Sequence, residues 1–412
     1  MLKNMRWFLS FLLCLTSLFA EGIPREEYQM RRAELRKSLD GVMVLFGAVE
    51  TDDLHYGFFQ ESNFLYLSGW REPGAVMMLT PREEILFLPP RDLHEELYTG
   101  RKLGPDDPDA AEKTGFAKVL PRAALESQFL RVLETSRSVY TLPNDRDAQK
   151  LKALAVFHES GDAERALGKL RMIKSPAEIA LIQHASDVTV AAHLEAWKKL
   201  HAGMYEYQVA SVMTNAYFDR GCERSAYTPI VGGGPNSVIL HYSTNKRRVD
   251  SGEVLLMDVG AECSDYATDV TRTVPVSGKF TPRQREIYEI VLGAQKAAIA
   301  AVKPGVRVRE TLYRIAYDYI NTHGRDLHGD SLGKYFTHGL THHVGLDVHD
   351  LSDINVPLET GMVITIEPGI YIPEENIGVR IEDTLVVTPT GSKVLSAALP
   401  KEVQEIEKLV GK

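Results

Sequence analysis

Two aspartates, two glutamates and a histidine cluster in the second half of the chain have the types and spacing of a metal centre. The aspartates lie in MDVGAECSDYATDVTRT, the glutamates lie in TIEPG and VRIED, and the histidines lie in HGLTHHVGLDVHD. Bridging carboxylates with one imidazole form an oxygen-rich ligand set that suits manganese, cobalt or zinc in a hydrolytic site with two metal ions. The pattern therefore indicates a metallohydrolase. Its candidate ligands are Asp258, Asp269, His342, Glu367 and Glu382.

The segments that carry the four acids form an internal repeat. GEVLLMDVG and GMVITIEPG place glycine, valine, an acid and glycine at matching positions, and these acids are Asp258 and Glu367. A second acid follows each on a β-like run, Asp269 in ATDVTRTV and Glu382 in VRIEDTLVV, and helical segments precede both copies. This helix, helix, strand, strand order, found twice, predicts two α/β halves related by pseudo-two-fold symmetry. Their acids would meet at one centre.

Strand geometry gives a physical reason for this convergence. Side chains alternate across a strand, so antiparallel pairing would place Asp258 near Asp269 and Glu367 near Glu382. Four buried carboxylates without partners would repel one another and take up protons, whereas two dications supply the positive charge that they need. A helix cap or a surface ion pair is the alternative for any single acid, but matched placement in two repeats favours the metal site.

Histidines are concentrated near the same segments. His338, His342, His343 and His349 lie close together among the 13 histidines of the chain, and this density favours a site over isolated core or surface histidines. His241, in VILHYSTN just before the first acidic strand, is a separate candidate. Its imidazole could exchange protons near neutral pH.

Length and charge limit the class of protein. With 412 residues the chain exceeds a comfortable single core, so two domains are expected, and 44% hydrophobic with 25% charged residues is an ordinary globular composition. The formal net charge is -9 and no run rich in lysine or arginine occurs, which argues against nucleic acid as a partner. A peptide or another small substrate fits better.

The N-terminal segment, residues 1–20, has the pattern of a signal peptide. Lys3 and Arg6 precede an uncharged run that is too short to span a membrane, and the small residue Ala20 ends it. We therefore predict export to the periplasm or the exterior. The alternative is an N-terminal helix packed on a cytoplasmic protein.

Removal of this segment would leave two cysteines, Cys222 and Cys263. Two cysteines do not form a disulfide framework, and from the sequence they could pair or stay free.

The rest of the chain divides into two predicted domains, residues 21–165 and residues 170–405. Residues 159–169, which are polar with two glycines, are interpreted as a linker, and Pro176 as the first-turn proline of a long amphipathic helix. In the first domain, apolar runs predict strands at 42–46, 75–79 and 85–88, and helical spacing predicts helices at 25–39 and 123–133.

The complete set of motifs resembles the Xaa-Pro aminopeptidases (aminopeptidase P) of the methionine aminopeptidase/prolidase superfamily, which have the pita-bread fold. ILHYSTN, MDVGAE, DVTRT, HGLTHHVGLDVHD, IEPGIY and VRIED follow in the family's order, and QESNFLYLSGWREPGAV and PPRDLHEELYTGRKLGP resemble its N-terminal domain. The resemblance implies an α/β N-terminal domain followed by a pseudo-two-fold pita-bread catalytic domain. It also implies a metallo-aminopeptidase that hydrolyses the bond between an N-terminal residue and a following proline.

The resemblance also implies which ligands hold each of two metal ions, which are usually manganese in this family. Asp269 and Glu382 would bridge the ions, Asp258 would hold one, and His342 with Glu367 would hold the other. The cations would convert a bridging water to hydroxide near neutral pH and polarise the scissile carbonyl. Glu367 would take the proton of the water.

Four further residues match family positions outside the ligand set. His241, His338 and His349 match histidines that face the substrate, and His349 could stabilise the oxyanion. Arg380 matches a basic residue that orients the carboxylates. The main departure is His343, where relatives often have an aromatic residue, so the resemblance does not predict the cavity wall beside His342.

Other functions share the scaffold. A prolidase that cleaves Xaa-Pro dipeptides has the same ligand set and is the main alternative. A methionine aminopeptidase is disfavoured because such enzymes generally lack the N-terminal domain, and a non-catalytic peptide-binding protein is disfavoured because all five ligands are present. The expected partners are peptides with proline at the second position, with no nucleic acid and no membrane span. The oligomeric state is left open.

Overall fold

The chain folds into two compact units, Met1–Leu170 and Arg171–Lys412. The computed structural model describes residues 22–50, 57–143 and 145–411. The predicted leader, residues 1–20, lies outside the described residues. In the described part of the chain, no helix is long and apolar enough to cross a membrane.

A six-stranded mixed sheet forms the centre of the first unit. Its strands are β1 Val42–Phe46, β2 Val76–Leu79, β3 Glu84–Leu88, β4 Val119–Pro121, β5 Ser138–Thr141 and β6 Glu159–Asp162. They lie in the order β4-β3-β2-β1-β5-β6, and the pairs of β2 with β1 and β3 are antiparallel whereas the other pairs are parallel. The three predicted strands are β1, β2 and β3, whose apolar runs are buried.

Helices pack around this sheet. They are α1 Arg25–Ser38, α2 Ser62–Ser68, α3 Glu96–Thr99, α4 Ala110–Thr114, α5 Leu125–Leu133, α6 Arg146–Lys152 and α7 Ala163–Arg171. The predicted helices at 25–39 and 123–133 correspond to α1 and α5. Phe129 and Val132 of α5 enter a core that includes Val44 and Met78 of the sheet.

The predicted linker at residues 159–169 is wrong, because β6 and α7 occupy it. β6 pairs with β5 as an edge strand, and this pairing is made by backbone groups, so its polar sequence does not prevent it. Gly161 is required there by packing, since a Cβ would lie 2.2 Å from the ring of Tyr140. In α7 the apolar residues Ala163 and Leu167 are fully buried and lie one helical turn apart.

The second unit contains a repeated pair of helices and a short C-terminal helix. They are α8 Pro176–Lys199, α9 Glu206–Phe218, α10 Pro282–Ala301, α11 Arg314–His323 and α12 Val403–Leu409. The first helix of each pair begins in the same way, with a capping box and a proline in the first turn. Ser175 Oγ accepts from the Glu178 N–H at 3.2 Å, and Thr281 Oγ1 accepts from the Gln284 N–H at 3.3 Å.

The strands of the second unit form several small sheets. They are β7 Arg224–Ser225, β8 Ile230–Gly233, β9 Val254–Val259, β10 Ala261–Cys263, β11 Tyr266–Ala267, β12 Val270–Pro275, β13 Val363–Ile366, β14 Gly369–Ile372, β15 Ile377–Arg380, β16 Asp383–Thr388 and β17 Gly391–Val394. The sheets have the orders β12-β9-β8, β13-β16-β17, β11-β10-β7 and β14-β15. The antiparallel pairs β9–β12 and β13–β16 each follow two helices, which is the repeated order that the sequence predicts.

A large apolar core fills this unit. Trp197 of α8, Met257 of β9 and Val291 of α10 are fully buried within it. Cys222 and Cys263 form a disulfide that joins the segment after α9 to β10. The sequence left open whether these cysteines pair, and the structure shows that they do.

Candidate metal centre

Two candidate ligands come from the first strand pair. Asp258 of β9 lies opposite Thr271 of β12, and Asp269 directly precedes β12. The hydroxyl of Tyr227 donates to both carboxylates and lies 2.5 Å from Oδ1 of Asp258. The antiparallel pairing therefore brings the two aspartates together.

Glu367 and Glu382 come from the second strand pair. Each lies just beyond the paired ends of β13 and β16, where Ile366 is opposite Asp383. Glu382 also contacts the first pair, because its N–H donates to the Thr271 carbonyl at 3.0 Å and its Oε2 accepts from the Thr271 hydroxyl at 2.6 Å. The two halves of the repeat thus meet through these residues.

His342 lies among the acids. Its Nε2 atom is 3.4 Å from Asp269 Oδ2, 3.5 Å from Glu367 Oε1 and 3.9 Å from Glu382 Oε1. Its Nδ1 atom lies 3.1 Å from the carbonyl oxygen of His343, so Nδ1–H donates there. This hydrogen bond leaves Nε2 to face the acids, which is the orientation that a metal-ligating histidine requires.

The donor set fits divalent metal ions. Asp258, Asp269 and Glu382 are only 8%, 6% and 1% exposed, so their carboxylates have little water. Oε1 of Glu382 is buried and receives no hydrogen bond from any described residue. One ligand atom each from Asp269, His342 and Glu382 lie within 4.8 Å of one another. An unpartnered buried carboxylate oxygen beside further acids and an imidazole is a site for positive charge.

Burial and mutual repulsion shift the pKa values of these groups. Burial, together with the charges of Asp269 and Glu367, raises the pKa of Glu382 well above its usual range. Burial and the Asp258 charge raise the pKa of Asp269, and burial raises that of Glu367 to about 7 although His342 opposes it. Burial would lower the pKa of His342, but the hydrogen bond and charge of Asp269 outweigh it and raise this pKa to about 9.

Asp258 differs from the other acids because it has a cationic partner. Nη2 of Arg380 donates to its Oδ2 at 2.5 Å, and Nη1 of Arg380 donates to the hydroxyl oxygen of Tyr371 at 2.6 Å. Burial would raise the pKa of Asp258, but the Arg380 charge and the Tyr227 hydrogen bond lower it. Arg380 thus holds this aspartate in its ionised form.

The cluster lines a cavity of about 570 Å³. All nine predicted site residues line it, including the three histidines outside the ligand set, His241, His338 and His349. The ring centroids of His349 and His342 are 4.2 Å apart. His338 Nε2 lies 2.8 Å from the Tyr371 hydroxyl, which places a second histidine beside the Arg380 contact. The structure therefore brings all of the candidate residues to one cavity.

Two family models match this chain. The model of metallopeptidase family M24 matches residues 180–389, and that of the aminopeptidase P N-terminal domain matches residues 28–140. The chain belongs to metallopeptidase family M24.

Similar proteins align with nearly the whole of this chain. The Xaa-Pro aminopeptidase of Haemophilus influenzae is 37% identical, over 94% of this chain and 98% of the relative. The solved structure of Escherichia coli aminopeptidase P with the inhibitor Pro-Leu has a TM-score of 0.85 at 33% identity, covering 94% of this chain and 98% of that one. A zinc-substituted form of the Escherichia coli enzyme, in complex with product, matches with the same TM-score of 0.85 at 33% identity and with the same coverage of both chains.

These relatives confirm three predictions from the sequence. The aminopeptidase P family, the α/β fold class with its N-terminal and catalytic domains, and a metallo-exopeptidase activity are all supported by them. Membership of M24 also implies divalent metal ions.

His343 is the position at which the sequence left the cavity wall beside His342 open. His343 is buried and does not line the cavity. Burial, followed by the charge of Lys174, lowers its pKa to about 3. His343 therefore forms no part of the cavity wall beside His342.

Three M24 site residues were not predicted from the sequence. Tyr227, Thr271 and Tyr371 contact the acids or Arg380. Thr271 could have been found, since it lies two residues after Asp269 and so points to the same face of the strand. Tyr227 lies on a loop between β7 and β8, and no periodic signal marks a loop residue.

Proposed function

We propose that this enzyme removes the N-terminal residue from peptides in which proline is the second residue. The observation that carries the proposal is the convergence of the five candidate ligands, from both halves of the second unit, in one cavity. The specificity is proposed from the relatives, which are named Xaa-Pro aminopeptidase. The acid-rich cavity also suits the free α-amino group of such a substrate.

We propose manganese as the metal, because carboxylate-rich sites suit hard cations, although cobalt and zinc would also fit. The ions would be held by Asp258, Asp269, His342, Glu367 and Glu382. When bound, they would supply the charge that acidifies a water molecule and polarises a substrate carbonyl.

Glu367 is the residue proposed to move protons. Its carboxylate lines the cavity, with Oε1 3.5 Å from His342 Nε2 and Oε2 3.7 Å from His338 Nδ1, so it lies where a proton could pass between water and substrate. The prolyl nitrogen leaves poorly until it is protonated, so Glu367 would carry the proton of the attacking water to that nitrogen. Thr365 Oγ1 donates to Glu367 Oε1 at 3.1 Å and orients the carboxyl.

The histidines have separate proposed roles. His349 and His241 are exposed on the cavity wall, where His349 would donate to the oxygen that becomes negatively charged. Burial lowers the pKa of His338 to about 4, so this histidine is neutral at pH 7. Its Nδ1–H donates to the Gly339 carbonyl at 2.7 Å and its Nε2 accepts from the Tyr371 hydroxyl, so it orients polar groups on the wall.

Product analysis tests the specificity. Manganese-loaded protein should release alanine from Ala-Pro-Leu and leave Pro-Leu. Acetylation of the N-terminal amine should block cleavage, because the substrate then lacks the charged α-amino group that an acid-rich cavity attracts. Ala-Ala-Leu should be cleaved much more slowly. Cleavage of acetyl-Ala-Pro-Leu at the same rate as the free peptide would contradict the proposal.

A prolidase is the alternative, and the same assay separates the two. A prolidase would cleave the dipeptide Ala-Pro and leave Ala-Pro-Leu intact. An aminopeptidase must let the chain continue past proline, so cleavage of the tripeptide favours our proposal.

Export is proposed from the leader pattern in residues 1–20. Mass spectrometry of the protein from its native source should find no peptide that contains Met1. An intact leader in a cytoplasmic fraction would contradict export.

A further inference from the structure

One wall of the cavity comes from residues 233–247, a segment that runs from the last residue of β8 toward β9. Leu240, His241 and Ser243 of this segment line the cavity. The segment consists of a short 3₁₀ turn at Gly234–Val238 and an irregular stretch, so it lacks the backbone ladder of a helix or a strand. Its position must therefore be fixed by other contacts.

Glu206, at the start of α9, supplies several of these contacts. Its side chain is fully buried and accepts four hydrogen bonds from the segment. Oε1 accepts from the Gly233 N–H and from Asn236 Nδ2, both at 2.9 Å. Oε2 accepts from the Tyr242 hydroxyl at 2.8 Å and from the Arg247 N–H at 2.9 Å. One carboxylate thus joins both ends of the segment.

The backbone of α9 strengthens the same attachment. The Glu206 N–H donates to the Arg247 carbonyl at 2.9 Å, and the Tyr207 N–H donates to the Asn245 carbonyl at 2.8 Å. These bonds also satisfy free N–H groups in the first turn of the helix.

The segment contacts the metal centre as well as the cavity. The Leu240 carbonyl accepts from Nη2 of Arg380 at 3.3 Å, and the same Nη2 donates to Asp258. A shift of the segment would therefore move His241 on the wall and one acceptor of Arg380 together.

We infer that Glu206 is a positioning residue for peptide cleavage, which holds the 233–247 segment so that Leu240 and His241 meet the substrate. The inference rests on the proposed function, because it takes this wall to be substrate-facing. Glu206 itself does not line the cavity, and it acts only through the segment.

The carboxylate is specifically required, because all four of its partners donate. In Glu206→Gln the amide NH2 must face one pair of donors in either orientation, although its size is unchanged. We expect kcat/KM for Ala-Pro-Leu to fall about 10- to 100-fold through misplacement of the wall, with bound manganese unchanged. Glu195→Gln is the matched control, since Glu195 pairs with Arg220 at 2.6 Å and does not line the cavity, and it should match the wild type.

A double-mutant cycle separates positioning from a general structural effect. If Glu206 acts through the wall that carries His241, adding Glu206→Gln to the His241→Ala variant should lower kcat/KM by less than about threefold. Tyr242→Phe removes one of the four donors without burying a new polar group. Should Glu206→Gln fail to fold, Tyr242→Phe should still give a smaller loss of kcat/KM, and that loss should also disappear in the His241→Ala background.

Limited trypsin digestion gives a readout that does not depend on activity. Lys246 and Arg248 are exposed at the end of the segment. Cleavage after them should be faster in Glu206→Gln than in Glu195→Gln. If the wild type does not cleave Ala-Pro-Leu, the proposed function fails, and the digestion still decides whether Glu206 holds the segment.

Two results would overturn the inference. One is a Glu206→Gln enzyme that equals Glu195→Gln in kcat/KM and in its rate of digestion. The other is a loss of kcat/KM by the same factor with and without His241.

Discussion

The guanidinium of Arg380 donates to the carboxylate of Asp258 at 2.5 Å, with both side chains buried. This pair makes the centre asymmetric. Asp258 is held ionised by a cation of the protein, whereas the pKa values of Asp269, Glu367 and Glu382 are raised. We propose that the latter three acids take their compensating charge from metal ions.

Removal of Arg380 should therefore weaken the centre. Arg380→Ala leaves Asp258 buried without its partner, so its pKa should rise and both metal content and kcat/KM should fall, the latter about 10- to 100-fold. Elemental analysis and peptide assays of the same preparation measure both effects. Arg220→Ala, which removes a half-exposed arginine paired with Glu195, is the control. Full metal content and turnover in Arg380→Ala would show that the pair has no functional role.

Metal binding should release protons. The pKa of His342 is about 9, that of Glu382 lies well above its usual range and that of Glu367 is about 7, so these ligands hold protons at neutral pH in the absence of cations. Ligation requires their deprotonated forms, and affinity should rise with pH up to about 9 and fall in acid.

Calorimetry in two buffers of different ionisation enthalpy measures this release. At pH 7.5 we expect more than one proton to leave per chain as manganese binds. Binding enthalpies that are equal in both buffers would contradict the assignment of these residues as ligands.

The histidines of the cavity should separate into two classes. His342→Ala should lose bound manganese, because its Nε2 faces three acids. His338→Ala and His349→Ala should keep the metal and lose turnover, since they line the cavity outside the ligand set. His201→Ala, at an exposed position that does not line the cavity, is the control. Equal metal loss in all three cavity variants would refute this division.

A buried ion cluster formed by Arg171, Lys174 and Asp350 should matter for stability. Asp350 lies 2.8 Å from Nζ of Lys174 and also contacts the guanidinium of Arg171, and all three side chains are almost fully buried. Asp350→Asn leaves two buried cations without this partner and should lower the free energy of unfolding by about 3–5 kcal/mol at pH 7.

The pH dependence of this effect has a definite sign. Burial would raise the pKa of Asp350, but the charges of Lys174 and Arg171 lower it below its unfolded value. Its contribution is therefore complete above the unfolded pKa, and it disappears as the pH falls below about 4. The free energies of unfolding of the wild type and of Asp350→Asn, measured with urea, should therefore become equal as the pH falls below about 4. Asp318→Asn is the control, because it alters only an exposed i, i+4 pair with Arg314, and it should leave the free energy of unfolding unchanged. An equal loss of stability in Asp318→Asn would show that the buried position of Asp350 has no special effect.

The acids and histidines could be predicted because their signal is local. Asp258 and Glu367 lie at matching positions of two strand motifs, and the alternation of a strand fixes the face on which each acid lies. The resemblance added Arg380, whose contact with Asp258 joins residues far apart in the chain.

Other features depend on tertiary contacts that leave no pattern in the sequence. The hydrogen bonds of Glu206 join a helix terminus to a distant irregular segment. β6 is polar because an edge strand pairs through its backbone, so composition indicated a linker. Tyr227 reaches both aspartates from the loop between β7 and β8, and buried His343 pairs with Ile364 of β13, which is distant from it in the chain.

A manganese titration with parallel assays tests the central claim most directly, since the ligands are proposed to hold two ions that cleavage requires. Metal-stripped protein should be inactive on Ala-Pro-Leu, and activity should return as the manganese content approaches two ions per chain. Asp269→Ala should not reach this manganese content. Full cleavage by rigorously metal-free protein would contradict the account, as would full activity in Asp269→Ala.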